Sequence, residues 1–341
     1  MAHVGLIVNP AAGRDVRRLT GGASVVDNYA KRRVAQCVAS GLTIADDPPR
    51  VSVMPDKTGI AEHVAQEAPD GVAVETIDMP VEETAADTRR AAAYVREHAD
   101  VAVVLGGDGT TRDASLELGD VPLVSVSTGT NNVVPTPVDG TVAGAAAAAV
   151  ATGLVDAGAV TARHGRIDVV ADDATGEKRL TGLAAVGIVD RPFVGTRAVI
   201  DPTELLGGVV SRAHPSDIGL GSVAGCIEPV APDEPGGAAV RLGDAETAPR
   251  TVRAIVAPGM TTAVGVERHD ALAWDEPATF AVSDAVVGAD GEREIELVDA
   301  TVEMTPTAGG PRLVDVEEAL GAAADAGALV RDGPVVPDPD R

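Results

Sequence analysis

Val101-Ala102-Val103-Val104-Leu105-Gly106-Gly107-Asp108-Gly109-Thr110-Thr111 is the stretch on which the reading of this chain turns. Five consecutive apolar residues predict a strand buried on both faces, since a half-exposed strand would alternate. Gly106 and Gly107 end it, and Thr110 or Thr111 can cap a helix running through about Glu117. The glycines, Gly109 included, permit unusual dihedrals and close approach of a phosphate. Backbone N–H groups and the positive end of the helix can then face an anion. Asp108 adds a carboxylate that could hold a magnesium ion or accept a proton from a hydroxyl during phosphoryl transfer. The competing reading is a tight turn closed by an Asx hydrogen bond.

The next strand, Val121 to Val126, repeats the device and ends in Ser127-Thr128-Gly129-Thr130-Asn131-Asn132. Thr128, Thr130, Asn131 and Asn132 offer hydroxyl and amide groups that orient ribose or phosphate oxygens without adding charge beside Asp108. A polar helix cap is the alternative. Upstream, Val4 to Val8 predicts the first strand, closed by Asn9-Pro10-Ala11-Ala12-Gly13. Asn9 either binds phosphate or caps the local backbone. Arg14, Arg17 and Arg18 follow, to meet a triphosphate or to pair with the acidic surface. Three polar turns thus fall on the carboxyl edge of one sheet, where open α/β folds bind ligands.

Further out, helices are expected at about 28–39, 59–68, 82–98 and 139–154, with strands at 51–54 and 72–77 between them. This is the alternation of a parallel sheet with crossover helices. The helix at 139–154 is read in spite of Gly144. Beyond Gly158 the texture becomes strand-like, at 167–170, 183–189, 251–257, 279–282, 294–298 and 301–304, which predicts a mostly antiparallel second domain. Residues 195–225 are the least readable, and 233–237 read as an exposed loop. The divisions are 1–155 for the α/β domain, 156–312 for the β-rich domain, 313–330 for a final helix that could return to the first, and 331–341 for a loose acidic tail.

Composition narrows the function classes. Fifty-two acidic residues against 27 basic ones give a net charge of −25, which opposes binding to nucleic acids or anionic membranes. The positive charge is nearly all arginine, with lysine only at 31, 57 and 178, and the acids are spread along the chain: a surface suited to high salt. Dialysis from molar salt into dilute buffer should therefore lower the thermal midpoint, as screening of self-repulsion is lost; an unchanged midpoint would refute this. Cys37 and Cys226 suggest neither a disulfide framework nor a thiolate metal site. A start at Met1-Ala2-His3 without a basic leader, and no apolar run near 18 residues, make the cytoplasm the expected location. A Walker loop, a Gly-x-Gly-x-x-Gly after the first strand, zinc-ligand spacing among the six histidines and a hydrolase elbow at Ser222 are all missing.

The loops resemble those of the ATP-NAD kinase superfamily. Gly106 to Thr110 matches its signature loop and Asn9 to Gly13 its first-strand turn. Ser127 to Pro135, Gly195 to Val199, Pro258 to Met260, Asp290 to Arg293 and Gly310 to Val316 resemble its acetoin-locus branch. The resemblance implies a Rossmann-like N-terminal domain, a β-rich C-terminal domain and a nucleotide held between them. It also implies ATP and Mg2+ as donor and cofactor, and the adenosine ribose 2'-hydroxyl of NAD as acceptor. Asp108 would be the base or electrostatic residue. Gly106, Gly107, Gly109 and Thr110 would shape the phosphate region, with Asn131 as ribose or nucleotide contact. For Asp290, on a predicted hairpin, a structural role and a contact across the cleft are both open. One departure stands out: NAD kinases carry Asn-Glu or Asn-Asp at the start of the second domain, whereas this chain has Leu183-Ala184-Ala185-Val186-Gly187-Ile188, with Asp190 as the nearest carboxylate. A kinase for another hydroxyl compound, lipid included, and a nucleotide sensor without turnover are the alternatives. Homo-oligomerisation through the β-rich domain is open.

Overall fold

The computed structural model describes residues 1–11, 27–129, 132–190, 204–257 and 259–330. Arg14, Arg17, Arg18, Thr130, Asn131, Pro258, the 195–199 motif and the 331–341 tail lie outside them.

In β1 (His3–Val8), Val4, Leu6 and Val8 enter one core while Ile7 enters another, as a strand covered on both faces requires. β2 (Arg50–Val53), β3 (Val74–Thr76), β4 (Val101–Gly106) and β5 (Leu123–Ser127) join it in the parallel order β3-β2-β1-β4-β5. The chain first moves outward from β1 to β3, then returns to the other side of β1 with β4. Loops leaving β1 and β4 therefore part in opposite directions and open a crevice at their carboxyl ends. That crevice receives Asn9 from β1 and Gly106 to Asp108 from β4.

Five helices clothe this part of the sheet: α1 (Asn28–Gly41), α2 (Ile60–Gln66), α3 (Ala85–His98), α4 (Asp108–Leu118) and α5 (Gly140–Ala151). α3 starts three residues later than its composition predicts, because Thr84 caps it and Asp87 reaches back in a capping box. α4 starts earlier than expected. Gly107 occupies the N-cap without a side-chain bond, so Asp108 is the first helical residue and Thr110 and Thr111 lie inside the first turn. α5 forms around its glycines for a reason found in α1. A Cβ on Gly144 would stand 2.1 Å from the carbonyl oxygen of Val38, and one on Gly140 2.6 Å from that of Val34.

The next strand, β6 (Thr161–Arg163), stays with the first sheet. The chain then builds a second sheet from β7 (Arg166–Asp173), β8 (Gly176–Gly182), β9 (Ala185–Val189), β10 (Leu205–Val210), β11 (Gly237–Gly243), β12 (Arg250–Ala257), β13 (Met260–Leu272), β14 (Ala278–Ala289) and β15 (Glu292–Thr307). Its order is β12-β13-β11-β10-β9-β14-β15-β7-β8, antiparallel throughout. The pieces expected at 294–298 and 301–304 are one continuous strand, β15, with Asp299 at φ 47° within it. α6 (Leu220–Gly225) and β10 occupy much of the stretch that resisted sequence reading. Gly237, read as loop, is buried at the start of β11. The chain then returns: β16 (Arg312–Val314) lies parallel to β5 and antiparallel to β6, and α7 (Val316–Asp325) packs Ala319 and Ala323 into the core shared with α5. No helix among the described residues is long and apolar enough to cross a membrane.

Candidate active site

Asp108 is 7% exposed at the first position of α4. Its carboxylate does not cap its own helix. Oδ1 accepts the backbone N–H groups of Val133 and Val134 at 3.0 and 2.8 Å, and Oδ2 accepts that of Val133 at 2.9 Å. The loop after β5 is thereby tied to the helix after β4. Burial, and next the charge of Asp290, raise the Asp108 pKa to about 7, against the two amides and the field of Arg212. A carboxylate so placed exchanges its proton near neutral pH.

Around it, the glycines of the first loop are needed for space. A Cβ on Gly106 would come within 2.5 Å of the Thr110 side chain, and one on Gly109 within 2.7 Å of the Glu292 carboxylate. Neither residue adopts the left-handed backbone that the sequence reading allowed. Asn9 caps the local backbone, its Oδ1 accepting the Ala11 N–H at 2.8 Å, and its Nδ2 donates to Thr110 Oγ1 at 3.0 Å, a contact the sequence reading did not include. Thr111 Oγ1 bonds Ser125 Oγ at 2.7 Å, locking α4 to β5. In the second loop, Thr128 N–H donates to Gly106 O at 3.0 Å, Ser127 Oγ to Gly129 O at 2.7 Å and Asn132 Nδ2 to Ser127 Oγ at 2.7 Å. Among the described residues the Thr128 hydroxyl is buried without a hydrogen-bond partner. Such an orphan beside the glycine turn suits a ligand oxygen.

Asp290 comes from the far side of the crevice, on the β14–β15 turn at φ 51°. Its carboxylate accepts the N–H groups of Leu183, Ala184 and Ala185 at 2.8, 2.7 and 3.2 Å. Burial holds its pKa above the ordinary value against those amides and Arg112. Arg112, 4% exposed on α4, spans the boundary: Nη1 donates to Ala289 O at 3.2 Å and lies 3.8 Å from Asp290 Oδ2, and Nη2 donates to Glu292 Oε2 at 3.2 Å. Asp290 is thus both structural and an electrostatic neighbour of Asp108. Sequence reasoning left its role open and missed Arg112. The arginine's i+4 spacing from Asp108 was the available signal, since it puts both on one helix face.

The model matches of the two halves agree with this construction. Residues 4–155 match the ATP-NAD kinase N-terminal domain, and residues 165–308 match the acetoin catabolism protein X C-terminal domain. Acetoin catabolism protein X of Cupriavidus necator is 35% identical over 306 residues, covering 86% of this chain and 84% of that one. The chain belongs to the acetoin catabolism protein X branch of the ATP-NAD kinase superfamily. In fold it resembles yeast NADH kinase in its NADH complex, with a TM-score of 0.51 at 12% identity over 98% of this chain and 90% of the other.

Within this acetoin catabolism protein X relative, the segment 183–185 has a specific character. Its amides are taken by Asp290, and the side chains of Leu183 and Ala184, 1% and 3% exposed, pack with Val134 in an apolar cluster. Asp190 does not replace the missing acid there, because it lies past the opposite end of β9, roughly 16 Å along the strand from Ala185. Among the described residues there is no cluster of three metal-ligating side chains. Asp108 keeps a lone pair on Oδ2, a donor set that fits Mg2+ carried in by phosphates rather than caged by protein.

His164, at the passage from β6 to β7, is 2% exposed. Nδ1 donates to Gly165 O at 2.6 Å, and Nε2 has no partner among the described residues. Burial lowers its pKa to about 4. A depressed pKa stabilises the fold above the unfolded value of about 6.5 and is lost as pH falls toward 4, by up to about 3 kcal/mol. His164→Asn should therefore destabilise the protein more at pH 7.5 than at pH 4.5 in urea titrations; equal losses would show that His164 is not held neutral.

Proposed function

We propose that this chain transfers the γ-phosphoryl group of ATP to the adenosine ribose 2'-hydroxyl of NAD, giving NADP and ADP, in the cytoplasm. The observation that carries the proposal is Asp108: a nearly buried carboxylate at the β1/β4 crevice whose proton exchanges near pH 7, where a general base works best. The hydroxyl proton passes to Asp108 as its oxygen bonds to phosphorus and the bond to ADP breaks. Gly106, Gly107, Gly109 and Thr110 would turn backbone N–H groups toward phosphates at the N-terminus of α4, and the Thr128 hydroxyl, unpartnered among the described residues, would donate to one of their oxygens. Asn9 holds Thr110 in place, while Gly129, Thr130, Asn131 and Asn132 belong to the loop that would carry the ribose. Mg2+ bound with ATP would neutralise phosphate charge, with Asp108 Oδ2 as its protein contact.

A second reading keeps the donor site and changes the acceptor. It is favoured by the apolar Leu183, Ala184 and Val134 beside Asp108, where NAD recognition would need polar groups. The relative's name makes acetoin the first such hydroxyl compound to try. NADP formation by purified protein with NAD, ATP and Mg2+, strongly reduced in Asp108→Asn, is the expected result. No turnover despite ATP binding would move the weight to another acceptor or to a sensor without turnover.

A further inference from the structure

A site built around two buried carboxylates in a chain of charge −25 repels the polyphosphate it is proposed to receive. A compensating cation is needed within reach. Among the described residues two arginines act on these carboxylates, and they differ in how their donors are used. Arg112 is 4% exposed and committed to Ala289, Asp290 and Glu292. Arg212, just after β10, is different.

The Arg212 guanidinium is held at two corners. Nη1 donates to Val133 O at 3.0 Å and Nη2 to Asp217 Oδ1 at 3.1 Å, and Asp217 is itself fixed by the His214 N–H on its other oxygen at 3.0 Å. These bonds use two of the five N–H groups of a guanidinium. The side chain remains 24% exposed, whereas Asp217 is 6% exposed. Val133 is also the residue whose N–H holds Asp108, so one peptide segment joins the arginine to the carboxylate. The charge of Arg212 acts on both Asp108 and the buried His164. A planar cation that is pinned, partly open and one residue from the base's own amide is the arrangement that recognises phosphate bidentately at low entropic cost.

We propose that Arg212 is a phosphate-binding residue of this crevice, oriented by Asp217 and Val133 O so that its remaining N–H groups receive anionic oxygens of a polyphosphate. The assignment deepens the phosphotransferase reading but does not require turnover. The probes are inorganic tripolyphosphate and adenosine, titrated calorimetrically against the full chain in salt that keeps wild type and variants equally folded by thermal melt. Wild type should bind tripolyphosphate, and Arg212→Met should weaken it about 10- to 100-fold, leaving the affinity for adenosine unchanged. Arg212→Lys, which keeps the charge and loses the fork, should recover only part of the affinity. Asp217→Asn should give a smaller loss than Arg212→Met. Failure of wild type to bind tripolyphosphate, or equal binding by Arg212→Met, would overturn the proposal, as would loss of adenosine and tripolyphosphate affinity in parallel, the mark of a structural role. Turnover with unchanged binding by Arg212→Met would leave the kinase reading standing and remove Arg212 from it. Arg212-dependent tripolyphosphate binding without turnover would do the reverse.

Discussion

Asp108→Asn is expected to lower phosphoryl transfer by about 10²- to 10⁴-fold, the usual contribution of a positioned general base, and at the same time to raise stability above pH 7. Both effects come from one environment. Burial and the Asp290 charge raise the Asp108 pKa to about 7, so the carboxylate is a base of useful strength only because its ionised form is disfavoured. A raised folded-state pKa contributes stability that is complete below the unfolded value of about 4 and lost as pH climbs through 7. At pH 8.5 the wild type therefore carries a charge that the asparagine lacks, worth up to about 4 kcal/mol. The gain is reduced because an amide accepts on only one of its two terminal atoms, and one contact with Val133 N–H is lost. For the wild type, kcat/KM should rise with pH up to about 7 and then level. Urea titrations of both proteins at pH 5.5 and 8.5, beside a pH–rate profile, check the pair of effects. Undiminished turnover would remove Asp108 as the base; a stability gain equal at both pH values would show that its charge is not what the site disfavours.

Gly144→Ala is expected to destabilise the protein by about 3 kcal/mol or more, at the top of the range for overpacked cores. Helix propensity alone predicts the opposite sign, a gain of about 1 kcal/mol for replacing glycine inside a helix. The decision rests on distance. The added methyl would lie 2.1 Å from the carbonyl oxygen of Val38 and 2.9 Å from its carbonyl carbon, both backbone atoms of α1 that no rotamer change can move. Gly41 meets the Thr141 carbonyl oxygen in the same way from the other helix, again at 2.1 Å. Relief requires α1 and α5 to separate, which unpacks the core that holds Val38, Ala143, Ala147 and Ala319. The free energy of unfolding in denaturant gives the answer; an increase would show that the helices part at little cost.

These two residues mark where sequence reading succeeds and where it stops. Val101 to Leu105 followed by Gly-Gly-Asp-Gly could be placed as strand, turn and helix because each step is local: continuous apolar residues, then glycine, then a helix start. The alternation of β1 to β5 with their helices follows from the same short-range periodicities, and it put Asn9, Asp108 and Thr128 on one sheet edge without any knowledge of the contacts. The start of α4 was misplaced by three or four residues, at Thr110 or Thr111 instead of a Gly107 cap, because a glycine N-cap leaves no side-chain signal. Gly144 could be read only as a tolerated defect, since its reason is a carbonyl in another helix. In the second sheet, β10 lies between β9 and β11 while β14 and β15 separate β9 from β7. No period within a strand records which strand lies beside it.

The sequence by itself determined that this chain is a parallel α/β unit followed by a β-rich one, that its two polar glycine loops leave the carboxyl ends of β4 and β5, and that Asp108 is the carboxylate in the first of them. Those properties are fixed by side-chain period, backbone freedom and functional group, all carried within a few residues. The tertiary structure alone decided that Asp290 stands across the crevice from Asp108, that Arg112 ties one domain to the other, and that Arg212 reaches the carbonyl of Val133. The pKa of Asp108 depends on burial and on charges up to 182 positions away along the chain, counted from residue 108 to residue 290. Electrostatic energy follows distance and dielectric in space, and only folding sets either of them.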